Sequence, residues 1–595
     1  MVRSEIQKKI QDAVAALYPD TAVLPVEVSV PEQREHGNYS SNVALLLSHA
    51  LKKNPMEIAQ QLSEKLSDST MFTKVEAVKP GFLNFFIADQ KLFELLQSVI
   101  ENPEMFGQST IGKGKTVMVE YFQLNIAKRP HIGHIRSAII GDALKRMFLS
   151  QGYHAISDTH VGDWGTQFGI LLLGYKGAGA DLHTKEITED PFGELEEIYL
   201  AENAKIKEDP LRRERAKQEF VKLEQGDPEN RKIWVWMVEI SMQKLFEAAN
   251  RLGLLPFDEH RGESFYEDKM QLIVESALQR GVAKKIDDGA VIVDLTNEGL
   301  DEAVLIKSDG ASTYLLRDLA TIQYRKKEWN FWKNLYVVDV RQSHHFKQLF
   351  RVAEMLGFDG AGESQHVEYG FMKLPEGGAI STRGGTGISL EKVLNEAEER
   401  AAAVIAQKNP ALANAKEVSH MVGLGALKYF DLSHHRKSDI TFEWDRVLSF
   451  EGNTGPYLQY THARLKSILR KAISHHPESA AAEEGSLMSQ HEILLRQLTD
   501  QNDTIVLDPI QRNLLATLIR FPEAIEDGLA VWSPHVLAGY LYELAVRGNE
   551  FYHTTPILTE ADEEKKQFFL ALVFAVSTVL KKGLYLLGID APEEM

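Results

Sequence analysis

Between Thr116 and Leu149 a short β-rich run, TVMVEYF, passes through a polar loop into a helical pattern that starts near Gly133 and continues through Ile140 to Leu149. A strand leading through a loop into a helix is the opening unit of a nucleotide-binding α/β core, with the ligand outside the carboxyl ends of the strands. In the loop, PHIGHIR sets His131 and His134 on either side of Gly133. The glycine lets backbone approach a nucleotide, the helix start favours negative charge, and the two imidazoles can donate to phosphate oxygens. The same spacing would also serve a metal ion or a plain helix cap.

A chain of 595 residues exceeds what one core can organise, so several domains are expected. Residues 1–110 read as a small α/β domain: two helical runs separated by Asn54-Pro55, then the strand-rich VEAVKPGFLNFFI, Val75 to Ile87. IGKGK, Ile111 to Lys115, is the natural linker. Residues 111–395 form the α/β core, split over 182–290 by a helical insertion rich in Glu and Lys; strand-like text returns at Ala290 to Asp294 and Leu335 to Asp339. A helical segment, 396–455, then leads into an all-α domain over 456–595.

The formal charge of −19 does not exclude a nucleic acid, because phosphate affinity comes from local clusters such as Lys113 with Lys115, Arg464 to Lys471, and Lys581 with Lys582. Any of these also reads as an ordinary solvated face. The apolar stretches Phe568 to Val579 and Ile170 to Leu173 fall short of the roughly 18 residues that span a bilayer, so no membrane helix is expected. The absence of cysteine and of a secretory signal favours a cytoplasmic protein.

HIGH in this context resembles the signature of class I aminoacyl-tRNA synthetases, and NIAKRPHIGHIRSAIIGD resembles that of the arginyl family in particular. The resemblance continues through VGDWGTQFG (Val161 to Gly169), STYLLRDLAT (Ser312 to Thr321), VVDVRQSHHFKQLF (Val337 to Phe350), SDITFEWDRVLSFEGNTGPYLQYTHAR (Ser438 to Arg464) and the terminal LYLLGIDAP. It implies a Rossmann-type core that activates L-arginine with magnesium-bound ATP and transfers it to tRNA-Arg. It also implies an N-terminal domain at the tRNA elbow, a helical anticodon-binding domain, a monomeric enzyme and no metal site of the protein's own. A synthetase for another amino acid, or a non-acylating tRNA-binding relative, is the alternative.

Carried over residue by residue, the resemblance makes His131, His134, Lys128 and Arg383 catalytic, and assigns ATP to Gly133, Gly162, Asp163, Gly165, Gln167 and Ser381. It assigns the arginine substrate to Glu120, Asn125, Tyr314, Asp318 and Gln342; a guanidinium asks for carboxylates. Phe82 and Asn84 are the expected elbow contacts, and Tyr457, Tyr460 and Arg464 the anticodon contacts. Two departures stand out. The second class I motif is reduced to AISTRGGTGISLEKV, where Ile380 replaces its methionine and Thr382 its second lysine; Lys128, just before HIGH, fits the family's known substitute, and Arg383 is the other cation at hand. YFQLN, Tyr121 to Asn125, stands where small Ser- or Ala-containing text is expected.

Overall fold

The computed structural model describes residues 1–21, 25–177, 190–373, 389–474 and 506–595. The N-terminal unit packs α1 (Val2–Leu17), α2 (Val43–Leu51) and α3 (Pro55–Ser67) on an antiparallel sheet of β1 (Tyr39–Ser41), β2 (Phe72–Val78) and β3 (Phe82–Ile87), followed by α4 (Asp89–Glu101). Asn54 caps α3 by accepting from the Met56 N–H at 2.9 Å, and Pro55 fills the first turn, where its missing donor costs nothing.

The core sheet is parallel throughout. Its strands β4 (Thr116–Glu120), β5 (His154–Asp158), β9 (Lys333–Tyr336) and β10 (Ser364–His366) lie in the order β10-β9-β4-β5. Helix α5 (Ile135–Ser150) carries the chain from β4 to β5, and the route from β5 then crosses to β9 on the other side of β4. The order therefore reverses at β4, where open α/β sheets part their loops and bind ligands. The register aligns Glu120 with Asp158 on one side and Tyr336 on the other, so three polar side chains end the central strands together.

Between β5 and β9 lie α6 (Thr166–Gly177), α7 (Pro191–Glu208), α8 (Pro210–Glu224), α9 (Pro228–Arg251) and α10 (Met270–Gln279). They are followed by β6 (Lys284–Lys285), β7 (Val291–Val293), β8 (Ala303–Ile306) and α11 (Tyr314–Trp329). The strand expected at Ala290 to Asp294 is β7, but it belongs to a separate antiparallel sheet, β6-β7-β8, and not to the core. Its partners are its neighbours in sequence, reached through a turn at Gly289 (φ +94°), so short hairpin pairing wins over the distant parallel sheet. Helix α12 (Ser343–Met355) links β9 to β10.

Beyond β11 (Met372–Lys373), helices α13 (Leu390–Lys408) and α14 (Ala415–Leu432) lead to β12 (Ile440–Thr441), which pairs with β11, and then to α15 (Trp444–Val447). The C-terminal unit is α16 (Gly455–Ser474), α17 (Pro509–Leu518), α18 (Phe521–Ala530), α19 (His535–Thr554) and α20 (Glu563–Leu586). By length and composition α20 is apolar enough to cross a membrane, contrary to the sequence expectation; 72 % of its apolar window is buried against neighbouring helices, the position of a core helix.

The first and last domains touch. The Arg3 guanidinium pairs with Asp527 and with buried Glu523, which also accepts the Tyr39 hydroxyl at 3.1 Å. Arg512 meets Asp89 at 2.6 Å, and Lys582 donates to the Pro103 carbonyl at 2.8 Å. The C-terminal Glu593 and Glu594 occupy the predicted basic patches, pairing with Lys466, Lys581 and Arg470.

Candidate active site

A cavity of about 1010 Å³ opens over the carboxyl ends of β4 and β9. It brings together His131, Gly133, His134, Lys128, Gly162, Gly165, Gln167, Glu120, Asn125, Tyr314, Asp318 and Gln342, residues up to 222 positions apart (342 − 120) in the chain.

One wall is the HIGH turn. The Gly133 N–H donates to His131 Nδ1 at 3.0 Å and the His131 N–H donates to His134 Nδ1 at 3.1 Å, with the rings stacked 3.8 Å apart. An imidazole nitrogen that accepts from a backbone N–H carries no proton, so each neutral ring holds its proton on Nε2, ready to donate. Burial and the Arg341 charge lower the His131 pKa; burial, His131, Lys128 and Arg341 push that of His134 down to about 3. A Cβ at Gly133 would come 2.8 Å from the His131 ring, which is why glycine stands there. The helix that follows is anchored rigidly: Arg136 pairs with Asp431 of α14 at 2.9 Å, both buried, and donates to the carbonyls of Gly370 and Ser438 at 2.7 and 3.0 Å. Lys128 lies with its ammonium 5.6 Å from the Tyr199 ring centre, and its neighbour Arg129 holds Asp190 and Glu196 of the insertion at 2.8 and 2.7 Å.

The loop after β5 forms a second wall. Gly162 sits against Asn125, whose Oδ1 would be 2.3 Å from an added Cβ, and Gln167 donates to the Gly162 carbonyl at 2.9 Å. Gly165 turns at φ +123°. Asp163 departs from the expected ATP set: it does not line the cavity, and its carboxylate accepts from the Ser264 N–H (2.9 Å) and hydroxyl (2.6 Å), bracing the loop from behind.

The floor is acidic. Asp318 accepts from His345 Nε2 at 2.6 Å and lies 3.7 Å from His160 Nε2. Burial would raise its pKa, but the His345 bond together with the charges of His345, His160 and Arg317 outweighs this and holds it below the ordinary value. Tyr314, one turn earlier, is exposed in the cavity with its ring 4.6 Å from that of His345. Glu120, expected to contact the arginine substrate, is buried and already paired: Arg325 Nη2 contacts its Oε2 at 2.7 Å, and Gln123 donates to its Oε1 at 3.1 Å. The same Arg325 nitrogen contacts Asp158 at 2.7 Å.

Sequence reasoning missed Arg325, His345, His160, Gln123 and Arg341. Arg325 stands seven residues after Asp318 on α11, two turns along the same face, a spacing that was readable; His345 lay unremarked inside VVDVRQSHHF. Ser381 and Arg383 lie outside the described residues.

Outside the cavity, Phe82 is exposed at the start of β3, whereas Asn84 is buried beside β1 and accepts from the Ser40 hydroxyl at 2.9 Å. Asn84 lies in the central strand, covered between β1 and β2 with its amide oxygen taken by Ser40, so the expected base-edge contact by this residue is withdrawn. Tyr457 is half-buried with its hydroxyl accepting from Asn549 at 2.9 Å. Tyr460 is exposed, and the Arg464 guanidinium lies 4.2 Å from the Tyr552 ring centre.

Three family models match: "tRNA synthetases class I (R), catalytic domain" over residues 95–444, "DALR anticodon binding domain" over 458–595, and "Arginyl tRNA synthetase N terminal domain" over 4–87. Among curated relatives, the arginine–tRNA ligase of Halothermothrix orenii is 36 % identical, covering 99 % of this chain and 100 % of its own. That of Lactococcus lactis subsp. cremoris is 39 % identical over 93 % of both. The solved Thermus thermophilus arginyl-tRNA synthetase superimposes with a TM-score of 0.80 at 26 % identity over the whole of both chains. The Plasmodium falciparum enzyme does so with 0.81 at 23 %, a likeness of fold.

Proposed function

We propose the following division of labour from one premise: the chain belongs to the arginyl-tRNA synthetase family of class I, and its function is that of an arginine–tRNA ligase. The carrying observation is that one cavity sets neutral imidazole donors opposite an acidic floor, as an enzyme joining a triphosphate to a cationic amino acid requires. Magnesium-bound ATP enters over the HIGH turn, where His131 and His134 donate from Nε2 to phosphate oxygens. Gly133, Gly162 and Gly165 allow the close backbone approach of the nucleotide, with Gln167 holding that loop. Magnesium comes with the nucleotide as part of the substrate.

L-Arginine lies with its guanidinium on Asp318, flanked by Tyr314, Gln342 and Asn125; Glu120, held by an Arg325 that it shares with Asp158, forms the acidic wall behind. The α-carboxylate of the arginine attacks the α-phosphate of ATP, an acyl–phosphate bond forms as the bond to pyrophosphate breaks, and pyrophosphate leaves with Lys128 near the developing charge. The ribose hydroxyl at the tRNA-Arg 3′ end then takes the arginyl group and AMP departs. Phe82 at the elbow, and Tyr460 with Arg464 on the helical domain, are the exposed tRNA contacts of this reading. The enzyme works as a monomer in the cytoplasm. ATP–pyrophosphate exchange with arginine, with and without tRNA-Arg, tests the proposal: exchange specific to arginine and dependent on tRNA supports it, and exchange with another amino acid in preference to arginine overturns it.

A further inference from the structure

His160 has no role in the scheme above, yet its backbone and ring are both tightly held at the cavity wall. Strand β5 ends at Asp158, and the chain then turns through His160 in a left-handed conformation (φ +37°) that a non-glycine residue adopts only where its surroundings hold it. The turn is fixed by the His160 N–H donating to Asp158 Oδ1 at 3.2 Å. It delivers a buried imidazole, 8 % exposed, to the cavity wall, with Nε2 3.7 Å from Asp318 Oδ1 and with Nδ1 lacking any hydrogen-bond partner among the described residues. An orphaned buried nitrogen is costly unless it serves a ligand or a proton.

The surroundings favour the proton. Glu120 from β4, Asp158 from β5 and Asp318 from α11 face the ring, opposed by Arg325; Asp163 and Glu263 stand behind it, Glu263 paired with Arg317 at 2.9 Å. Tyr266 packs at 5.6 Å, and His345 holds the far oxygen of Asp318. Three carboxylates against one guanidinium leave the empty pocket short of positive charge. Burial alone would lower the His160 pKa, but Glu120 and Asp318 outweigh it and hold the ring above its ordinary value.

We propose that His160 is the resident cation of the empty arginine pocket, an imidazolium between Glu120 and Asp318 that releases its proton to solvent as the substrate guanidinium takes its place. The inference rests on the reading of Asp318 as the guanidinium partner. The sign is fixed by charge: a second cation beside the ring lowers its proton affinity, so arginine binding releases a proton and tightens as pH rises between the bound and free pKa values. A ligand of equal shape without positive charge would displace nothing.

The test is calorimetry of arginine binding to the full-length enzyme with tRNA-Arg present, in two buffers of different ionisation enthalpy. It is paired with the arginine KM at saturating ATP and tRNA from about pH 6 to 8. The parent should release a substantial fraction of a proton, and its KM should fall by about tenfold over that range. His160→Asn, which tolerates the left-handed backbone, and His160→Gln should release none and show a flat arginine KM, with the ATP KM unaffected in its pH dependence. Equal proton release in parent and both variants overturns the proposal, as does a slope that survives them and disappears in His345→Gln. Asp318→Asn separates the two levels: if it leaves the arginine KM unchanged, the pocket reading itself fails, whereas a raised KM beside unaltered His160 variants leaves the pocket standing and removes only the proton.

Discussion

Arg325→Met removes a guanidinium whose one nitrogen contacts Glu120 Oε2 and Asp158 Oδ2, each at 2.7 Å, in a site where the arginine is fully buried and both carboxylates nearly so. Methionine fills most of the volume, so the cost is electrostatic. Asp158 keeps the N–H groups of His160 and Arg261 on its other oxygen, both at 3.2 Å, and Glu120 keeps Gln123; the stranded atoms are one oxygen of each. Breaking a buried pair costs about 3–5 kcal/mol, and with two carboxylates stranded we expect about 4 kcal/mol. Because several domains unfold separately, a local readout is needed: hydrogen exchange of the β4 and β9 amides, whose strands pair directly, should accelerate on the order of a thousandfold. Adding Asp158→Asn removes one stranded charge and should restore about 2 kcal/mol. Exchange within about fivefold of the parent, with no improvement in the double variant, would refute the claim that Arg325 holds the strand ends together.

Three further outcomes can be checked. Lys128→Ala should slow arginyl-adenylate formation by about a hundredfold in single-turnover experiments with tRNA present; near-parental rates in Lys128→Ala, with a large loss in Arg383→Ala, would move the role to Arg383. His134→Gln should lessen acid sensitivity: with the folded pKa depressed to about 3, the histidine's contribution is intact above its ordinary value of about 6.5 and is lost as pH falls from there towards 3. The parent should therefore lose about 1.4 kcal/mol per pH unit relative to the variant, read from denaturation midpoints; parallel curves would contradict this. Phe82→Ala should raise the KM for tRNA by about five- to a hundredfold with the arginine KM unmoved, if its exposed ring stacks on a base.

What the sequence disclosed followed the range of the interactions concerned. The cap at Asn54-Pro55, the strand at Thr116–Glu120 and the helix after HIGH depend on residues within a few positions of one another, and each could be read directly. The cavity residues were recoverable where they lay inside matched phrases. Their states were not: that Glu120 is held in a buried ion pair depends on Arg325 of α11, about 200 residues away in the chain. Asn84 shows the same limit at smaller scale, since its inward direction follows from its pairing with Ser40 across β1 and β3. Likewise Val291–Val293 reads as a core strand until its hairpin partners are known.

The contact between the first and last domains bears on how the chain is made. Arg3 and Tyr39 leave the ribosome well before Glu523, which receives both and follows 520 and 484 residues later. At roughly 5–20 residues per second the N-terminal domain waits on the order of half a minute to two minutes with this face bare. The helices of the C-terminal domain then dock against a partner that has long since folded. A chain released before Glu523 is made would thus display an Arg3 and Tyr39 surface that the longer chain covers.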